Sequence, residues 1–99
     1  REFVLSKQVL RSGTSIGANV EEAIGARSRA DFYNCMSIAY KEARETCYWL
    51  RLLHDTGYLQ DKEFTSIKSD AEELCRILTS IQTSTKRQNR PPKPVTDNS

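Results

Sequence analysis

Two glycines stand among small hydroxyl residues in Leu10-Arg11-Ser12-Gly13-Thr14-Ser15-Ile16-Gly17, and two acids, Glu21 and Glu22, follow. Such a stretch could cradle a phosphate, so its spacing is the first test. A Walker loop needs four residues between its glycines and a lysine after the second; here there are three, and no lysine follows Gly17. A dinucleotide fingerprint needs a preceding strand and a third glycine at fixed spacing, and neither is present. On a helix, residues four apart share one face. Gly13 and Gly17 are therefore read as a helix-packing pair, tolerated because a bare backbone lets a neighbour approach. Phe32, Tyr40 or an adjacent helix are the expected fillers. The helical cost of each glycine is about 1 kcal/mol relative to alanine.

Other chemistry-bearing residues are sparse. Glu42 and Glu45 lie three apart on one helix face beside Lys41 and Arg44. No acid, histidine or nucleophile elsewhere completes an acid–base constellation, so charge pairing on the helix face is expected and no enzyme activity. Three cysteines, Cys35, Cys47 and Cys75, form no close pair in sequence, and there is one histidine, His54. That set suits neither a disulfide framework nor a zinc site. Reduced cysteines in a cytoplasmic helical protein, with no metal and no cofactor, are the expectation. Arg27, Arg29, Arg44, Arg51, Lys86, Arg87 and Arg90 are the nucleic-acid candidates. Tyr33 and Tyr40, seven apart beside Arg44 and Arg51, could stack bases. The competing reading of that flank is a cation–π packing surface within a bundle.

The elements that must position these residues are helical. Leu5, Val9, Gly13 (or Leu10), Ile16, Val20 and Ala23 alternate threes and fours, as do Phe32, Met36, Ala39, Ala43, Cys47, Leu50 and Leu53. Phe64, Ile67, Ala71, Leu74, Leu78 and Ile81 form a third set. Each set falls on one face of a helix, and no segment alternates with the period of a strand. Ser28 and Asp31 resemble a capping box. Gly25-Ala26-Arg27 marks the first turn, Gly57 a left-handed helix end, and Asp61 an N-cap. The middle helix carries a second flank, Ile38, Glu42, Glu45, Trp49 and Leu52. Ile38, Trp49 and Leu52 are read as an oligomer interface.

Ninety-nine residues make one domain. No apolar run is long enough to span a bilayer, and no signal-peptide pattern opens the chain. Net charge is +2, but residues 1–85 sum to −1 and residues 86–99 to +3. Residues 1–85 are read as the helical bundle domain. Residues 86–99, with three prolines, are read as a basic disordered tail.

The motifs Arg11-Ser12-Gly13-Thr14-Ser15-Ile16-Gly17-Ala18-Asn19 and Lys41-Glu42-Ala43-Arg44-Glu45-Thr46, followed by Tyr48-Trp49-Leu50, carry a resemblance. The chain, from about Arg1 to Ile81, resembles the small four-helix-bundle proteins encoded in intervening sequences of bacterial 23S ribosomal RNA genes. The resemblance implies an all-α, antiparallel up-and-down four-helix bundle that assembles as a homopentamer. A related protein is the accessory subunit of diversity-generating retroelements, which binds reverse transcriptase and nucleic acid. Family members have a further helix before Glu2-Phe3-Val4-Leu5, so three helices are expected here with the family's first one missing. The functional expectation is a non-enzymatic oligomeric module that scaffolds or binds RNA, DNA or a nucleoprotein partner such as a reverse transcriptase. The alternative is a purely structural protein-interaction oligomer.

Overall fold

The computed structural model describes residues 2–89 of the chain, and side chains as far as Lys86. All described regular structure is helical: α1 (Glu2–Ile24), α2 (Arg29–Asp55) and α3 (Asp61–Asn89). The helices form an elongated plate with extents of 63 × 29 × 16 Å. α2 lies in the middle, and α1 and α3 each pack along it without pairing with one another.

Local chemistry sets the boundaries. The Ser28 hydroxyl accepts from the Asp31 backbone N–H at 3.1 Å, which satisfies one of the free donors at the start of α2. At the other end of α2, Gly57 takes φ +85, a conformation that glycine adopts at little cost. Its N–H donates to the His54 carbonyl at 3.1 Å, and the Tyr58 N–H donates to the Leu53 carbonyl at 2.9 Å. These two bonds are a Schellman closure. Asp61 is the first residue of α3 rather than its cap. The Phe64 N–H reaches back to the Gln60 carbonyl at 2.8 Å, and the Asp61 carboxylate is turned instead to His54 Nε2 at 2.6 Å. The His54 ring also stacks on Phe64, with centroids 4.1 Å apart.

The helical register continues through Asn89, so the boundary placed after Thr85 falls inside α3. Lys86 lies near its C-terminus, where a cation favours the negative end of the helix dipole. Residues 90–99, with Arg90 and most of the expected tail, lie outside the described residues.

The core gathers Ile16 and Ala23 from α1, Met36, Ala39 and Ala43 from α2, and Leu78 from α3. Alanines on α2 bring the backbones close, while Leu78, 2 % exposed, is the wedge that ties α3 to the cluster. One position on α1 differs from the sequence reading. Ser12, not Gly13, holds the core site, with no exposed surface. Thr46 donates to the Ser12 hydroxyl at 2.8 Å, and Ser12 donates to the Gln8 carbonyl at 3.0 Å. A buried hydroxyl with both roles filled carries no desolvation penalty of the unpaired kind.

The glycines correct a second expectation. A Cβ built on Gly13 or Gly17 would meet nothing within 4 Å, and both residues are exposed. Neither Phe32, Tyr40 nor another described helix packs against them. One residue of rotation turns them from the α2 contact to an outer flank of α1, which also carries the exposed Phe3, Leu10 and Ile24.

Candidate nucleic-acid interface

Arg44 and Arg51 are two turns apart on α2 and face α3. From α3, Lys68, Glu72 and Arg76 descend at four-residue intervals on one face. The antiparallel pairing of α2 with α3 brings both rows to the rim of a single open groove of about 680 Å³. Four cations and one acid border it. Tyr40 and the hydroxyls of Thr79 and Ser80 add hydrogen-bonding capacity, and Leu50 with two thiols supplies the apolar part. A groove bordered by one sign of charge concentrates field and attracts counter-charge.

Tyr40 and Arg44 interact directly. The guanidinium donates to the phenol oxygen at 3.0 Å, and its carbon lies 6.0 Å from the ring centroid. That hydrogen bond raises the Arg44 guanidinium above its ordinary value; like any arginine it stays charged. The cation–π packing considered for this flank is therefore present, and it leaves Arg44 on the groove rather than turning it away. Burial, and next the Cys75 thiol, push the Cys47 thiol up.

A second set of the expected cations sits toward the α1–α2 turn. Tyr33 and Lys86 border a hollow of about 600 Å³. Arg27 borders its neighbour, of about 470 Å³, with Glu22 and Cys35. Asp31 and Asn34 line both. Arg29, the first residue of α2, is exposed at the same end. Between the groove and these hollows Gln82 donates to Ser37 at 2.9 Å across the α2–α3 seam. The candidates therefore divide into two groups along α2, with Tyr33 and Arg51 about 27 Å apart at the helical rise. The side chain of Arg87, and Arg90 entirely, lie outside what is described.

Lys68, Glu72 and Arg76 were not anticipated. Their spacing put them on one face of α3, but only the register with α2 sets that face opposite Arg44 and Arg51. Arg11 was also missed: it reaches from α1 to Glu42 at 3.5 Å and to Glu45. Glu45 in turn accepts from Trp49 Nε1 at 3.0 Å. These contacts occupy the two carboxylates that the sequence singles out. Among the described residues no group of three or more His, Cys, Asp or Glu side chains is placed to hold a metal. No described helix is long and apolar enough to cross a membrane. On the outer side of α2, next to α1, Trp49 and Leu52 are half-buried, while Ile38 and Tyr48 are exposed.

No curated protein matches the chain. A crystal structure of a protein of unknown function from the S23 ribosomal protein family of Bacteroides thetaiotaomicron is 56% identical, with a TM-score of 0.78. The match covers 80% of this chain and 73% of that one. The family model described as 23S rRNA-intervening sequence protein matches residues 1–80. With the helical order and the matched residues in agreement, the chain belongs to the 23S rRNA-intervening sequence protein family.

Proposed function

We propose that this chain is a non-enzymatic helical-bundle module that binds nucleic acid, with the α2–α3 groove as its contact surface. The supporting observation is the convergence of Arg44, Arg51, Lys68 and Arg76 from two helices on one groove, against Glu72 alone. Whole-chain charge is too small to drive such binding, so a local cluster must do it. Cations neutralise phosphates and release their counterions, which makes affinity fall with salt. Assembly of several copies would repeat the groove and add avidity without any new contact.

The test is fluorescence anisotropy with labelled 20-nucleotide RNA and DNA at about 50 and 200 mM salt. The double variant Arg44→Glu, Arg76→Glu should weaken binding to every sequence. It should also flatten the salt slope by about 2, one per lost phosphate contact. Absence of salt-sensitive binding by the unmodified chain would remove the reading.

A second reading, a protein-interaction oligomer, is favoured by the apolar flank of Ile38, Trp49 and Leu52, of which Ile38 is exposed and the other two half-buried. Trp49→Glu should lower the native mass measured by light scattering, and an unchanged oligomer would exclude that flank as the interface.

A further inference from the structure

Cys47 and Cys75 are far apart in sequence, yet they come from facing helices and line the same groove. Both are free and half-buried. Side chains on a helix lean toward its N-terminus. The Ser37–Gln82 and His54–Phe64 contacts set Cys75 nearer the N-terminus of α2 than Cys47, so on these antiparallel neighbours the two thiols lean toward each other. Their environments are joined as well. The Cys75 sulfur acts directly on the Cys47 thiol, and both sulfurs act on the Arg44 guanidinium. Arg51 favours the Cys47 thiolate and offsets part of the opposing effect of burial. Cys35 stands apart from this pair: it packs on the core cluster and lines a hollow near the α1–α2 turn.

We propose that Cys47 and Cys75 are a redox modification site, which a hydroperoxide closes into an intramolecular disulfide that ties α2 to α3 across the groove. One thiolate attacks a peroxide oxygen and breaks the O–O bond. The sulfur becomes a sulfenic acid, and the departing hydroxide takes the thiol's proton to leave as water. The second sulfur then attacks the first and expels its hydroxyl, which leaves as water with the second thiol's proton. Each sulfur loses one electron and each peroxide oxygen gains one. Two thiols and one hydrogen peroxide give one disulfide and two waters. Arg51 offsets part of the burial that holds the Cys47 thiol up, and the neighbouring thiol intercepts the sulfenic acid before it is oxidised further. The site does not depend on what the groove binds.

The test treats the reduced, folded chain with hydrogen peroxide and reads intact mass and a non-reducing tryptic map. The unmodified chain and Cys35→Ser should each lose about 2 Da, the two hydrogens of a new disulfide. Peptide 45–51 should be linked to peptide 69–76, and a thiol reductant should reverse both changes. Cys47→Ser and Cys75→Ser should gain oxygen instead, as sulfinic acid. The map of the unmodified chain is decisive without any variant. A cross-link through peptide 30–41, which carries Cys35, would overturn the proposal. So would oxygen addition to the unmodified chain at the rate of Cys47→Ser, with no linked peptide.

Discussion

Replacing Leu78 by alanine removes the α3 side chain that reaches deepest into the shared core. Leu78 is 2 % exposed and belongs to the cluster that includes Ile16, Met36, Ala39 and Ala43. The substitution deletes three carbons' worth of buried surface. At about 0.8 kcal/mol per buried methylene, the transfer loss is about 2.4 kcal/mol. A cavity adds to this, and Leu→Ala changes in cores span about 2–5 kcal/mol. The neighbours Leu74, Cys75 and Ile81 are only partly buried, so their side chains can shift inward and collapse part of the hole. The expected loss is therefore near the lower end, about 3 kcal/mol. That is a large part of the 5–15 kcal/mol typical of a whole domain (a general figure of about that size). Urea denaturation read by helical circular dichroism measures it, with Trp49 fluorescence as a second probe. Trp49 sits on the α1 side of α2, so early loss of dichroism alone would mean that α3 detaches first. Leu74→Ala, at a half-buried site, should cost about half as much. A Leu78→Ala penalty under about 1 kcal/mol, or one no larger than that of Leu74→Ala, would refute the assignment of Leu78 as the wedge.

Two further outcomes follow from particular residues. Gly13→Ala and Gly17→Ala should each raise stability by about 0.5–1 kcal/mol, since both sites are helical and open. Destabilisation in the same urea assay would show that another helix presses on that face. Burial and Cys75 raise the Cys47 thiol in the folded chain, so folding favours its neutral form. Its contribution is fully present below the unfolded thiol value, about 8.5, and is lost as pH rises through the higher folded value. Between neutral and alkaline pH the unmodified chain should lose more stability than Cys47→Ala. Equal losses would remove that link.

Much of the architecture could be read directly from residue order. The alternation of threes and fours located α1, α2 and α3, because apolar side chains every 3.6 residues must share a face. Ser28 and Gly57 marked their boundaries for reasons that are local: one offers an oxygen to free N–H groups, and the other tolerates a left-handed backbone. Asp61 misled because its carboxylate had two possible uses, and His54, brought back by the turn, took it. The α1 phase slipped by one residue because glycine was counted as apolar and serine as polar. Ser12 is buried with its hydroxyl bonded inside α1 to Gln8 and accepting from Thr46 of α2, and the second partner is not visible from its own segment.

The groove shows the same division. Arg44, Arg51 and Tyr40 were recognisable as one flank of α2, since helical spacing alone puts them there. Lys68, Glu72 and Arg76 were equally periodic, but nothing in their own segment says which helix they face. By itself the sequence determined three amphipathic helices, their ends and the residues available on each face, because those depend on neighbours within a few positions. Only the tertiary structure decided which faces meet, because that depends on how Leu78 seats against the alanines of α2 and so sets the register of the pair. From that register come the four-cation groove and the adjacency of Cys47 and Cys75.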